Sequence, residues 1–168
     1  MCQSHQHVLS RRSFGFLGIS ALGLAAVPAR AAEVEALTLV CIDYRLVDDS
    51  VRFFDGMRLT NEYDQVELAG ASLAAVSPKF PSSNAAFWDH VNIAKTLHHI
   101  KKVIVLDHRD CGAYKVAFGK DFASAHDAET AQHKSVMLQL KAELAKKHPD
   151  LGYEAYLMAL DGTAEKLI

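Results

Sequence analysis

Lys102-Val103-Ile104-Val105-Leu106-Asp107-His108-Arg109-Asp110-Cys111-Gly112 decides the fold of this chain: an apolar run of strand-forming residues stops abruptly at a histidine, a cysteine and a glycine. A run without polar alternation reads as a strand buried on both faces, as in parallel sheets. Upstream, Leu37-Thr38-Leu39-Val40 repeats the pattern and delivers Cys41-Ile42-Asp43-Tyr44-Arg45. Further strands are expected at 65–68, closed by Ala69-Gly70, and at 153–160, closed by Asp161-Gly162.

Helical patterns fill the intervals. Phe87, Val91, Ala94, Leu97 and Ile100 recur at helical spacing, which predicts a helix over 85–100 with Ser83 or Asn84 as its cap. Val136, Met137, Leu140 and Leu144 predict a second over 129–147, stopped by Pro149 and Gly152. Strand and helix alternate, so the expected class is α/β: a mainly parallel central sheet with helices on both faces and right-handed crossovers. In such sheets ligands collect beyond the carboxyl ends of the strands, where Cys41 and His108 both fall.

At 168 residues, 50% hydrophobic and 23% charged, the chain suits one globular domain. Ser10-Arg11-Arg12-Ser13-Phe14, the apolar run 17–27 and Ala29-Arg30-Ala31 read as a twin-arginine-type signal peptide over 1–31. The rival, a membrane anchor, needs a longer apolar stretch of roughly 20 residues. Cleavage after Ala31 leaves 32–168 as the working domain, periplasmic and without a stable membrane span. Lys and Arg total 18 against 20 Asp and Glu, and the leader removes three arginines and no acid. That acidic balance argues against nucleic acid as a partner.

Cys2 lies in the leader, so Cys41 and Cys111 are the cysteines of the working domain. Two readings stand at this point. In an oxidising compartment the pair can form a disulfide. With His108 it can instead hold Zn2+, which favours sulfur and nitrogen donors in a tetrahedron and keeps a fourth position open in catalytic sites. Asp43 and Arg45 flank Cys41, and on an extended chain positions 41, 43 and 45 point the same way. Arg45 can then hold Asp43 ionised beside the metal, where a bound water's pKa falls from about 15.7 to near 7. Released from Arg45, Asp43 can itself become the fourth ligand. Gly112 is a candidate backbone donor to a substrate oxygen.

Cys41-x-Asp43-x-Arg45, followed by a strand ending in His108-x-x-Cys111-Gly112, resembles the β-carbonic anhydrases. The resemblance implies one Zn2+ per subunit on Cys41, His108 and Cys111, and an Asp43–Arg45 dyad beside it. It further implies reversible hydration of carbon dioxide to bicarbonate and a proton by zinc-bound hydroxide, in a homodimer or higher homo-oligomer. Glu67-Leu68-Ala69-Gly70-Ala71 stands where the family usually has Arg-Asn-Ala-Gly-Asn, Tyr44 replaces a small residue, and there is no room for an N-terminal arm between Ala32 and Leu37. These departures keep open a related substrate, carbonyl sulfide or carbon disulfide, and a non-catalytic zinc-binding domain.

The remaining motifs take plain readings. His90, His98, His99, His126, His133 and His148 are assigned to helix surfaces, with His126 and His133 as candidates for moving protons. Phe87 and Trp88 are assigned to the core or to a subunit contact. The lysines of 141–147 make a solvated face. Arg109 and Asp110 are given no role beyond pairing with each other.

Overall fold

The computed structural model describes residues 33–122 and 124–168, so the expected signal peptide lies outside the described residues. Five strands form one sheet in the order β2-β1-β3-β4-β5. They are β1 (Ala36–Val40), β2 (Tyr63–Glu67), β3 (Lys102–His108), β4 (Gly152–Met158) and β5 (Ala164–Lys166). The first four run parallel and β5 turns back antiparallel on β4. A β5 of three residues, Ala-Glu-Lys, is too short and polar to announce itself in the sequence. The helices are α1 (Val47–Gly56), α2 (Ser72–Val76), α3 (Pro81–His98), α4 (Gly112–Phe118) and α5 (His126–Lys147).

Both faces of the sheet are covered, as the unbroken apolar strands require. Leu37, Leu39, Val103, Val105 and Ala155 pack with Phe87 and Val91 of α3 and with Met137, Leu140 and Leu144 of α5. Ala36, Val40, Ile104, Leu106 and Met158 point the other way, toward Phe54 of α1, Leu46 and Leu59. Phe87 and Trp88 are core residues, with their rings edge to face.

The structure moves several boundaries. The α3 helix begins at Pro81, where a missing N–H costs nothing, rather than after a Ser83 or Asn84 cap. Asn84 instead donates its side-chain amide to the Ala75 carbonyl. Leu97, expected in the core, is exposed, and α3 ends before Ile100 as His99 takes a left-handed conformation. The fourth strand stops at Met158, where Ala159 opens the turn into β5. The α1, α2 and α4 helices were not anticipated; α1 buries only Phe54, so its apolar stripe is thin.

Register positions the site. Val40 lies across from Leu106 in the β1–β3 pair and across from Glu67 in the β1–β2 pair. Cys41 therefore leaves the sheet beside the Asp107-His108 end of β3, and the loop after β2 passes the same point.

Glu154 of β4 ties together the far side of the sheet. Its carboxylate pairs with Lys102 of β3 (2.6 Å) and Lys166 of β5 (3.0 Å), and Tyr156 donates its hydroxyl to it (2.6 Å). Lys102 above all, then Tyr156, hold its carboxyl at about 2 against an ordinary 4.5. A carboxyl whose value is lowered on folding contributes stability above its unfolded value and loses it as pH falls through the folded one. Glu154→Gln is thus expected to lower Tm at pH 7, with the gap to wild type closing between pH 4.5 and 2. Thermal melts across that range check it, and a constant gap contradicts it.

Candidate metal centre

Cys41, at the end of β1, His108, the last residue of β3, and Cys111, at the cap of α4, turn their donor atoms toward one another. All three ligand atoms lie within 4.8 Å of each other. The two sulfurs are 3.9 Å apart, and both cysteines are free thiols. With Zn–S bonds of about 2.3 Å, a tetrahedral centre sets its sulfurs roughly 3.8 Å apart. The His108 ring fits the same purpose. Its Nδ1 donates to the Arg109 carbonyl (2.7 Å), which leaves Nε2 as an acceptor, and that nitrogen is buried with no hydrogen-bond partner. An orphaned, oriented imidazole nitrogen between two sulfurs suits a metal ion.

The electrostatics point the same way. In the metal-free pair, a hydrogen bond from Cys111 lowers the Cys41 thiol far below its ordinary value against the opposing effect of burial, helped by His108 and the Gly70 amide. Cys111 is driven up, first by that shared hydrogen bond and then by burial. Opposite shifts on two neighbouring sulfurs are what two groups competing to be the anion show, and a cation bound to both would favour the two thiolates together. Burial pulls the His108 imidazole down, and the nearby Cys41 sulfur above all, with the Arg109 carbonyl and the Asp43 charge, outweighs it for a net rise.

Asp43 and Arg45 come together by a route other than the extended one expected. Residues Tyr44–Leu46 form a single 3-10 turn capped by Asp43, whose Oδ1 accepts the Arg45 amide (3.0 Å). The guanidinium then folds back to meet both carboxylate oxygens, Nε to Oδ1 at 2.9 Å and Nη2 to Oδ2 at 2.7 Å. This fork holds Asp43 ionised, with its carboxyl at about 2 chiefly through the Arg45 side chain. Its Oδ2 stands 3.7 Å from His108 Nε2, next to the candidate metal position.

Arg109 and Asp110 do not pair with each other. Asp110 accepts from Arg45 (3.0 Å) and Lys115 (2.6 Å), extending the Asp43 clamp to the turn that carries Cys111. Arg109 reaches Glu129 (3.1 Å), Thr130 (2.9 Å) and Glu165 (2.6 Å). Asp110 is left-handed, and its amide donates to the buried Glu129 carboxylate (2.6 Å). Gly112 heads α4 and is exposed, with open space where a Cβ would stand, so neither crowding nor backbone strain requires glycine there.

Two histidines assigned to the surface are not on it. His133 is buried and its Nδ1 meets Asp107 at 2.8 Å, while His148 is buried with its ring stacked near Trp88. His98 of α3 pairs with Asp64 of β2 at 2.8 Å. A helical histidine shows no sign in sequence of a carboxylate arriving from a distant strand.

Gly70, which the sequence places at a strand end and in the altered Glu67–Ala71 segment, belongs to the site. Its amide donates to Cys41 Sγ at 3.3 Å, its φ is +87°, and a Cβ there would stand 2.9 Å from Ala113 Cβ. A glycine three residues past a strand that pairs with a ligand-bearing strand was the available signal.

A doubly covered, mainly parallel α/β sheet with a Cys-His-Cys cluster at its carboxyl rim defines the class. A family model described as "Putative carbonic anhydrase" matches residues 31–143, and the chain belongs to that family. It is 34% identical over 135 residues to an uncharacterized protein of Rickettsia conorii, covering 80% of this chain and 73% of that one. A second uncharacterized protein, from Rickettsia bellii, is 35% identical over 135 residues, covering 80% and 82%. Among solved structures, the β-carbonic anhydrase CafD of Aspergillus fumigatus aligns with a TM-score of 0.51 at 12% identity, over 90% of this chain and 97% of that one, a likeness of fold.

Gly70→Ala places a side chain on a left-handed backbone against Ala113. It is expected to cost roughly 1–3 kcal/mol of stability and to speed zinc loss to a chelator. Urea unfolding and chelator competition read the two effects, and values equal to wild type contradict the placement.

Proposed function

We propose that the protein is a zinc-dependent carbonic anhydrase catalysing the reversible hydration of carbon dioxide to bicarbonate and a proton. The observation that carries this reading is the Cys41-His108-Cys111 cluster with an Arg45-clamped carboxylate beside it. A Zn2+ held by those three side chains supplies the Lewis acidity that makes water nucleophilic near neutral pH. Two thiolates balance its charge, and His108 joins as a neutral ligand oriented through Nδ1.

Asp43 accepts a hydrogen bond from the attacking water and aims its lone pair at the carbon. Arg45 keeps that carboxylate ionised and turned so that the fourth position stays free for water. Held at about 2, Asp43 does not titrate in the working range, so the acid limb of the pH profile belongs to another group. Gly112, first in α4, offers its amide to the substrate oxygen.

In this reading residues 1–31 are a cleaved twin-arginine-type signal and 32–168 act as a single zinc domain in the periplasm. A homodimer or higher homo-oligomer completes the reading. The apolar residues Ile42 (60% exposed), Tyr44 (86% exposed), Val47 and Val51, in one stretch next to the cluster, support a covered surface there.

Stopped-flow hydration assays on zinc-loaded protein test the proposal. Wild type is expected to be active at pH 8 and above, and Asp43→Ala to retain zinc while losing roughly 10- to 100-fold in kcat. Zinc-loaded wild type without hydration above the uncatalysed rate overturns it, and sulfide release from carbonyl sulfide or carbon disulfide by the same sample would then redirect the substrate.

A further inference from the structure

Asp107, directly before His108, is 1% exposed and follows the apolar run Val103–Leu106 within β3. A buried carboxylate is costly unless its oxygens are satisfied. Four donors meet it. Ser72 gives its amide to Oδ1 (2.9 Å) and its hydroxyl to Oδ2 (2.6 Å); the Tyr114 hydroxyl (2.8 Å) and His133 Nδ1 (2.8 Å) also reach Oδ2.

The origin of these donors matters more than their number. Ser72 lies two residues beyond Gly70, whose amide binds the Cys41 sulfur. Tyr114 lies three residues beyond Cys111, in the first turn of α4. Asp107 itself is bonded to His108. The segments that place the three candidate ligands thus converge on one carboxylate.

The fourth donor fixes the hub from outside. The His133 ring lies over Tyr114 with centroids 3.8 Å apart, so its orientation is locked by packing as well as by Asp107. One turn earlier on α5, Glu129 takes the Asp110 amide. The α5 helix therefore grips the chain on both sides of His108.

We infer that Asp107 is a positioning residue that sets the mutual distances of Cys41, His108 and Cys111 through Ser72, Tyr114 and His133. The inference rests on the proposed metal centre and adds its supporting frame. A rigid acceptor joining three segments holds the sulfurs and the imidazole at metal-binding separation before any ion arrives, so less ordering is left for the ion to impose.

The test uses Tyr114→Phe and Ser72→Ala, which each delete one hydroxyl and little volume, their double variant, and Asp107→Asn. With Co2+ in place of zinc, each single variant is expected to lose metal to a chelator about 3- to 10-fold faster and the double more than 10-fold faster, with a shifted thiolate-to-cobalt charge-transfer band. Asp107→Asn, which retains one acceptor oxygen, falls between wild type and the double variant. In metal-free protein, amide exchange at Gly70, Ser72 and Ala113 rises while 37–40 and 103–106 keep their protection. Folded variants with metal loss within twofold of wild type and unchanged local exchange overturn the inference. So does exchange rising equally in β1 and β3, which marks general destabilisation. Should the double variant fail to fold, the single variants carry the same expectations. Local exchange changes in a protein that takes no metal would sink the metal centre and leave the Asp107 frame standing.

Discussion

Parallel pairing of β1 with β3 is the constraint on which the rest depends. With Val40 fixed opposite Leu106, two donors 67 residues apart in sequence reach the same rim, and no loop has to search for the other. The register is itself set by burial: a slip of one residue would turn Leu37 and Leu39 away from Phe87, Val91 and Leu140. A tightly packed core therefore transmits its precision to a site that lies beyond it.

Chemistry at the rim follows from charge held where charge is expensive. With their sulfurs 3.9 Å apart, Cys41 is shifted down and Cys111 up, so two thiolates there repel each other and a cation between them would relieve that repulsion. Asp43 is a third anion nearby, and it stays out of the cluster because Arg45 occupies both of its oxygens. Asp110 in turn holds Arg45, and Glu129 and Arg109 hold the turn that carries Asp110. The cluster thus sits inside a chain of ion pairs that extends to α5 and β5.

How much of this was legible depended on whether a residue's partner was near it in the chain. The β1 and β3 strands were readable because runs such as Val103 to Leu106 carry their burial in their composition, whereas β2, Tyr-Asp-Gln-Val-Glu with only Val66 buried, begins at Tyr63 and ends at Glu67 rather than spanning 65–68. Cys41, His108 and Cys111 were readable because two of them end such runs and the third follows by three residues. The Asp43–Arg45 contact was anticipated but its backbone was not: a 3-10 turn brings i and i+2 together without any extended spacing. His133 and Glu129 were opaque, since a polar residue on a helix looks the same facing water or facing Asp107 and Asp110. Arg109 and Asp110 misled for a related reason, as adjacency in sequence suggested a pair where each has stronger partners across the fold.

The central claim is that Cys41, His108 and Cys111 bind one zinc through two sulfurs and one nitrogen. X-ray absorption at the zinc edge of the purified, zinc-loaded protein measures this directly. The account predicts two sulfur neighbours at about 2.3 Å and two nitrogen or oxygen neighbours at about 2.0–2.2 Å, with both sulfurs lost in the Cys41→Ala, Cys111→Ala double variant. A first shell of nitrogen and oxygen alone, or a protein that takes up no zinc and carries Cys41 and Cys111 as a disulfide, would contradict it.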